Sequence, residues 1–179
     1  MKVLAFAASS SRNSINKKLV SAAADLLKSA SPSVEIELLD INDYELPLFS
    51  EDREKELGQP ELAKAFYDKI GSADAVLVSY AEHNGTYSAA FKNIFDWTSR
   101  VHYQVFQNKP AVYLSTSPGK GGAKSVLTQA VNSAPHFKAD LKASLSVPSF
   151  GENFDVESNS FRNDEIKAEV KMAVTSLLG

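Results

Sequence analysis

Residues 75–100 read AVLVSYAEHNGTYSAAFKNIFDWTSR. The opening six, Ala75 to Tyr80, form an apolar run of strand length. The polar residues that follow, Glu82-His83-Asn84-Gly85-Thr86, contain an Asn-Gly pair, which tolerates left-handed backbone angles and turns N–H and C=O groups outward. From Ser88 onward apolar side chains recur at helical spacing, with Phe91, Ile94 and Phe95 on one face and Trp97 at its margin. A buried strand that passes through a short polar loop into an amphipathic helix is half of a βαβ unit. In open α/β sheets, ligands gather at such turns, outside the carboxyl ends of the strands. A loop this short and this rich in outward backbone groups suits a flat heteroaromatic ring with donors and acceptors along its edge.

The same alternation runs through the chain. Residues 3–8, 34–41, 75–80, 110–116 and 141–147 read as strands; residues 16–30, 60–70, 88–99, 122–131 and 164–178 read as helices. In the first helix Leu19, Ala23, Leu26, Leu27 and Ala30 share a face. In the second, Leu62, Phe66 and Ile70 align and Pro60 takes a first-turn position. In the last, Ile166, Val170, Ala173, Val174 and Leu177 align, and Asn163 is the expected N-cap, followed by Asp164 and Glu165 at the positive end of the helix dipole. Strands one, three and four are almost continuously apolar, the pattern of strands flanked on both edges and covered on both faces. Strands two and five alternate polar and apolar residues, as edge strands do. The expectation is α/β: a flavodoxin-like three-layer sandwich whose five-stranded parallel sheet has order 2-1-3-4-5, with its switch point between strands one and three. The loops after those two strands then border one crevice. No internal repeat or low-complexity segment divides residues 1–179, which read as one domain. The roughly 20-residue connection 40–59 is longer than usual links. Its apolar tip, Leu46-Pro47-Leu48-Phe49, is a candidate lid or interface.

Composition bounds the partners. At 179 residues, with 44% hydrophobic content, the chain can bury a full core. A net charge of −3 with scattered basic residues argues against nucleic acid or an anionic membrane as the main partner. The absence of cysteine rules out disulfides, thiolate metal sites and a thiol nucleophile. The apolar run 3–8 is too short for a signal peptide and no run reaches the ~20 residues of a membrane span, so a cytoplasmic protein is expected. His83, His102 and His136 lack a metal-binding spacing, and no G-x-S-x-G elbow supports hydrolase chemistry.

The loop after strand one, residues 8–16, reads ASSSRNSIN. Free N–H groups and the dipole at the start of the following helix favour an anion. Ser9, Ser11 and Ser14, the amide of Asn16 and the charge of Arg12 supply a cage for a phosphate. The loop has neither the glycines of the dinucleotide fingerprint nor the lysine of a P-loop, so a monophosphate fits better than a pyrophosphate. The plainer alternative is a serine-rich turn that caps the first helix.

Together these residues resemble the NAD(P)H-dependent FMN reductase family, which includes quinone, chromate and azo-dye reductases. The family's first motif, approximately Gly-Ser-x-Arg-x-x-Ser-x-Asn, matches at Ser9, Ser14 and Asn16, with Ala8 for the glycine and the arginine moved by one to Arg12. The second, approximately Pro-Glu-Tyr-Asn-x-Ser-x-Pro-Gly-x-Leu-Lys-Asn-x-Ile-Asp-Trp-x-Ser-Arg, matches at Glu82, Asn84, Lys92, Asn93, Asp96, Trp97, Ser99 and Arg100. His83 stands where the motif has tyrosine, Thr86 where it has serine. The turn STSPGKGG at 115–122 resembles the family's glycine-rich turn after strand four.

The resemblance implies that Ser9, Ser11, Arg12, Ser14 and Asn16 surround the FMN phosphate. It implies that Glu82, His83, Asn84, Gly85 and Thr86 run along the isoalloxazine, largely through backbone groups, with Ser117 and Gly119 near its other edge. It further implies NADPH or NADH as hydride donor, small acceptors such as quinones, flavins, azo dyes or chromate, and a homodimer or homotetramer. No catalytic side chain is expected, because the cofactor carries the chemistry. Trp97, Asp96 and Arg100 read as structural, with an ion pair across a dimer as one expectation for the two charges. A flavodoxin-like FMN carrier without nicotinamide turnover is the alternative, and a flavin-free binding domain on the same fold a third reading.

Overall fold

The computed structural model describes residues 1–179. In chain order the elements are β1 (Lys2–Ala8), α1 (Ile15–Ala30), β2 (Glu35–Leu39), α2 (Glu51–Leu57), α3 (Glu61–Gly71), β3 (Ala75–Tyr80), β4 (Glu82–His83), β5 (Thr86–Tyr87), α4 (Ala89–Val101), β6 (Pro110–Thr116), α5 (Lys124–Ser133), β7 (Asp140–Val147), α6 (Phe150–Asn153), β8 (Phe154–Asp155), β9 (Ser160–Phe161) and α7 (Asp164–Thr175). The five long strands form one parallel sheet in the order β2-β1-β3-β6-β7. This is the expected order 2-1-3-4-5, and burial explains it. Every residue of β3 is buried, whereas β7 alternates between exposed and half-buried positions from Asp140 to Leu145.

Two hydrophobic cores sandwich the sheet. On one face Leu4, Phe6, Val76 and Val78 meet Phe66 and Ile70 of α3, Phe91 and Ile94 of α4, and Val126 of α5. On the other, Val3, Ala5, Leu77 and Val112 meet Leu19, Val20 and Leu27 of α1 and Val170 and Val174 of α7. Each such large side chain contributes about 1.5–3 kcal/mol on leaving water.

Most differences from the sequence expectation lie at element ends, and each has a local cause. The second strand stops at Leu39 because Asp40 caps a 3-10 turn, accepting from the Asn42 N–H at 3.0 Å and rolling Ile41 and Tyr44 into the core. Pro60 is the N-cap of α3, one position before the first turn. Helix α5 begins at Lys124 because Gly122 and Ala123 both have left-handed backbone angles, φ 58° and 59°. Helix α7 ends at Thr175 and tightens into a 3-10 turn over Ser176–Leu178. Ala30 is exposed in the last turn of α1 rather than on its buried face. Asn163 caps α7 as expected, accepting from the Glu165 and Ile166 N–H groups.

The long connection 40–59 holds the short helix α2, which the sequence pattern did not reveal because none of its residues is buried. Its apolar tip is tied down in part. Asn93 on α4 donates to the Leu46 and Pro47 carbonyls, the Trp97 indole donates to the Pro47 carbonyl at 2.7 Å, and the Phe49 ring meets Trp97 edge-on. Leu48 remains 72% exposed. Trp97 is fully buried, so it is a packing residue. Asp96 and Arg100 both close ion pairs within the chain, to Lys92 and to Glu54.

Candidate functional site

The carboxyl ends of β1, β3 and β6 open into a cavity of about 290 Å³. Its wall brings together Ser9, Ser11, Ser14 and Asn16 from the loop after β1, Glu82 and His83 from the turn after β3, and Ser117 from the turn after β6. Asn13, Ile15, Ala81, Thr116 and Pro118 complete it. Of the residues expected at the site, Arg12, Asn84, Gly85, Thr86 and Gly119 do not form its wall. Arg12 is exposed in the loop between Ser11 and Ser14, and Asn84 to Thr86 follow His83 on the hairpin.

The serine loop is folded by its own hydroxyls. Ser9 Oγ accepts from the Ser11 N–H at 3.3 Å, and Ser14 Oγ caps α1 by accepting from the Lys17 N–H at 3.4 Å. The first-turn N–H groups of Ile15 and Asn16 have no partner inside the helix, and both residues line the same cavity. Hydroxyls plus free N–H groups at the positive end of a sixteen-residue helix form a donor set that fits an anion of phosphate size.

Asn16 is buried beneath this loop. Its Oδ1 accepts from the Ser79 hydroxyl at 2.7 Å and the Thr116 N–H at 3.1 Å, and its Nδ2 donates to the Thr116 carbonyl. One amide thus joins α1 to the ends of β3 and β6 and forms the cavity floor.

The polar loop after β3 is a two-residue hairpin. Glu82 pairs with Tyr87 and His83 with Thr86, and the Asn84-Gly85 tip takes φ 52° and 79°, both positive as a tight hairpin turn requires. Ser88 fastens its exit to β1, donating to the Ala8 carbonyl while capping α4. The turn after β6 is held from below. Ser115 and Ser146 both donate to the Gly122 carbonyl, Ser149 N–H donates to the Gly119 carbonyl and Phe150 N–H to that of Ser117. The loop after β7 therefore shapes the site, a contribution that carries no motif and was missed in the sequence. Asn13 and Thr116 were missed as well; they sit next to residues that were singled out, and adjacency was the available signal.

A larger cleft, about 490 Å³, lies between α4 and α5 and shares no residue with this cavity. Aromatic rings dominate it, among them Tyr80, Tyr87, Phe91, Phe95 and Tyr113. Burial pushes the Tyr80 phenol far up, with the nearby Tyr113 and Tyr87 adding to the shift, and burial likewise pushes Tyr113 up, so both stay neutral. The cleft offers no helix N-terminus, and of the sheet it meets Tyr80 at the end of β3 and Tyr113 within β6. The smaller cavity is the one at the switch point, and its donors are the ones that suit a charged ligand.

Residues 1–148 match the profile of the family described as NADPH-dependent FMN reductase. The NADPH:quinone oxidoreductase of Arabidopsis thaliana is 35% identical over 181 residues, covering 99% of this chain and 90% of the relative. The NAD(P)H-dependent FMN reductase of Pseudomonas aeruginosa is 36% identical over 122 residues, covering 68% of this chain and 63% of the relative. Among solved structures, the flavoenzyme NAD(P)H:(acceptor) oxidoreductase FerB from Paracoccus denitrificans superposes with a TM-score of 0.77 at 26% identity, covering 99% of this chain and 94% of that one. The crevice lies at the β1/β3 switch point and is lined with anion donors, and the chain belongs to the NADPH-dependent FMN reductase family.

Proposed function

We propose that residues 1–179 act as one FMN-binding domain that oxidises NADPH, or NADH, and reduces quinones or other small acceptors. The observation that carries this reading is the meeting of the serine loop and the Glu82–Tyr87 hairpin on one cavity. Ser9, Ser11 and Ser14 would donate to the phosphate together with the N–H groups of Ile15 and Asn16. Arg12, exposed at the rim, adds positive charge there. The backbone of His83, Asn84 and Gly85 would lie along the ring, with Thr86 beside it and Ser117 and Gly119 at the opposite edge.

FMN, when bound, accepts a hydride from the nicotinamide and passes reducing equivalents on to the acceptor. The chain's part is to hold the ring with fixed backbone dipoles and to leave one face open, so that nicotinamide and acceptor take the same place in turn. A shallow cavity with no buried acid or base suits that task. The name of the Arabidopsis relative supports quinones as acceptors. Exposed Leu48 and the aromatic cleft support cover by a second copy, in a homodimer or homotetramer.

The test is a visible spectrum of the protein reconstituted with FMN, followed by anaerobic addition of NADPH. The expected result is one flavin per chain and prompt loss of the oxidised-flavin absorption, restored by a quinone. A protein that retains no flavin, or a flavin that ignores both nicotinamides, overturns the reading.

A further inference from the structure

Helix α5 starts without a cap of its own. Its N-cap position is Ala123, held at φ 59°, with no side-chain oxygen to offer. The missing acceptor comes from 44 residues earlier in the chain: Glu82 Oε2 accepts from the Val126 N–H, the third residue of the helix, at 2.9 Å. A carboxylate at that end also meets the positive pole of the helix dipole. The contact continues along the helix. Thr86 Oγ1 donates to Gln129 Oε1 at 2.8 Å, Gln129 Nε2 reaches the Gly85 carbonyl at 3.4 Å, and the Tyr87 and Ser133 hydroxyls stand 3.4 Å apart. Residues 126, 129 and 133 lie on one helix face. The hairpin is therefore sewn along α5, with Glu82 as its single charged stitch.

We infer that Glu82 is a positioning residue: its carboxylate is committed to α5, and through that bond it sets the height and tilt of the His83-Asn84-Gly85 backbone over the cavity. The inference rests on the proposed flavin site and deepens it, separating the work of the Glu82 side chain from that of its main chain. The two-residue strands β4 and β5 pair only with each other and cannot fix the hairpin's orientation alone. A contact that is absent from the cavity's donor set thus governs the geometry of the ring end.

The test titrates apo protein with FMN and with riboflavin, which lacks the phosphate. Glu82→Ala is expected to weaken both flavins by about tenfold, the fold-change that corresponds to one lost cap, and to shift the bound-flavin spectrum. Glu82→Gln keeps an acceptor for the Val126 N–H and is expected to recover most of the affinity. Ser9→Ala is expected to weaken FMN alone. If Glu82→Ala lowers the thermal midpoint and leaves both affinities and the spectrum unchanged, Glu82 is a helix cap only and the inference falls. If the Ser9 variant also leaves FMN unaffected, the flavin site itself is misplaced. Should Glu82→Ala fail to fold, Gln129→Ala cuts the neighbouring stitch. It carries the same expectation for both flavins, and unchanged affinities there overturn the inference equally.

Discussion

Asn16 and Thr116 are joined by reciprocal hydrogen bonds: the Asn16 amide donates to the Thr116 carbonyl at 3.2 Å and accepts from the Thr116 N–H at 3.1 Å. Asn16 Oδ1 takes a third bond from the Ser79 hydroxyl. A side chain at the start of α1 thereby completes the hydrogen bonding of β6 where the ladder runs out. Asn16→Leu would leave two buried backbone groups and one hydroxyl without partners. The expected cost is about 3 kcal/mol, since each orphaned group costs roughly 1–3 kcal/mol less whatever relaxation recovers. Urea denaturation checks it. Asn16→Asp keeps the two acceptor bonds and turns the third into a carboxylate facing a carbonyl, so it should also be destabilised.

Ser14 has two tasks that can be separated. It caps α1, and it lines the cavity. Ser14→Ala should cost about 1 kcal/mol of stability as a lost cap. It should also weaken FMN by about tenfold through the lost donor, with riboflavin affected much less. Ser14→Asp would keep the cap and place a negative charge beside the phosphate; a more stable protein with poorer FMN binding is the expected pattern. Thermal melts and fluorescence titration report the two effects independently.

Gly122 and Gly85 both have positive φ but face different surroundings. A Cβ on Gly122 would sit 2.3 Å from Ser146 Oγ and 3.1 Å from the Pro148 nitrogen, whereas a Cβ on Gly85 meets nothing within 4 Å. Gly85→Ala should cost about 1 kcal/mol, the backbone strain alone. Gly122→Ala adds a steric clash and should cost about 3 kcal/mol. It should also distort the Ser117–Gly122 turn, whose carbonyls anchor the loop after β7. Chemical denaturation of the two variants gives the comparison.

The sheet was legible because burial writes itself into strand sequence. Continuous runs marked β1, β3 and β6 as central, and alternation marked β2 and β7 as edges, which together fixed the order. The two loops that meet at the cavity were legible because turn residues and cap residues announce strand-to-helix junctions. Helix α2 was not, because a seven-residue helix with no buried face has no periodic signal. The individual tasks of the site residues were also hidden. Asn16 and Glu82 look alike in a motif, yet one is a buried clip between strands and the other a cap for a distant helix. Those partners lie 100 and 44 positions away, beyond any local pattern.

Trp97 anchors the segment 46–49 with one indole hydrogen bond and one edge-on aromatic contact. Trp97→Phe keeps a ring and deletes the donor. The expected loss is about 2 kcal/mol, combining a hydrogen bond with the void left by the smaller side chain. The larger effect should be local: faster amide exchange and easier proteolysis at 46–49, with α4 still protected. By contrast Arg100→Ala, which breaks an exposed pair with Glu54, should change global stability little.

Acid stability should carry the mark of Glu37. This β2 carboxylate sits between the Lys2 and Lys69 ammonium groups. Hydrogen bonds from Lys2, then Lys69, hold its carboxyl below the ordinary 4.5 against a smaller opposing effect of burial. A carboxylate depressed in the folded state binds fewer protons there than when unfolded, so it contributes stability above 4.5 that is lost as pH falls through the folded value. Lys69 is raised above its ordinary 10.5 by the same contact, so its share is present at neutral pH and lost only as pH climbs beyond that. Between those limits Glu37→Gln should lower the thermal midpoint by about 2 °C, a modest shift because the groups are partly exposed. The gap between wild type and variant should narrow as pH drops below 4.5, and shrink again in high salt, which screens the pair. A gap that stays constant down to strong acid would mean the difference comes from packing of the amide and not from charge.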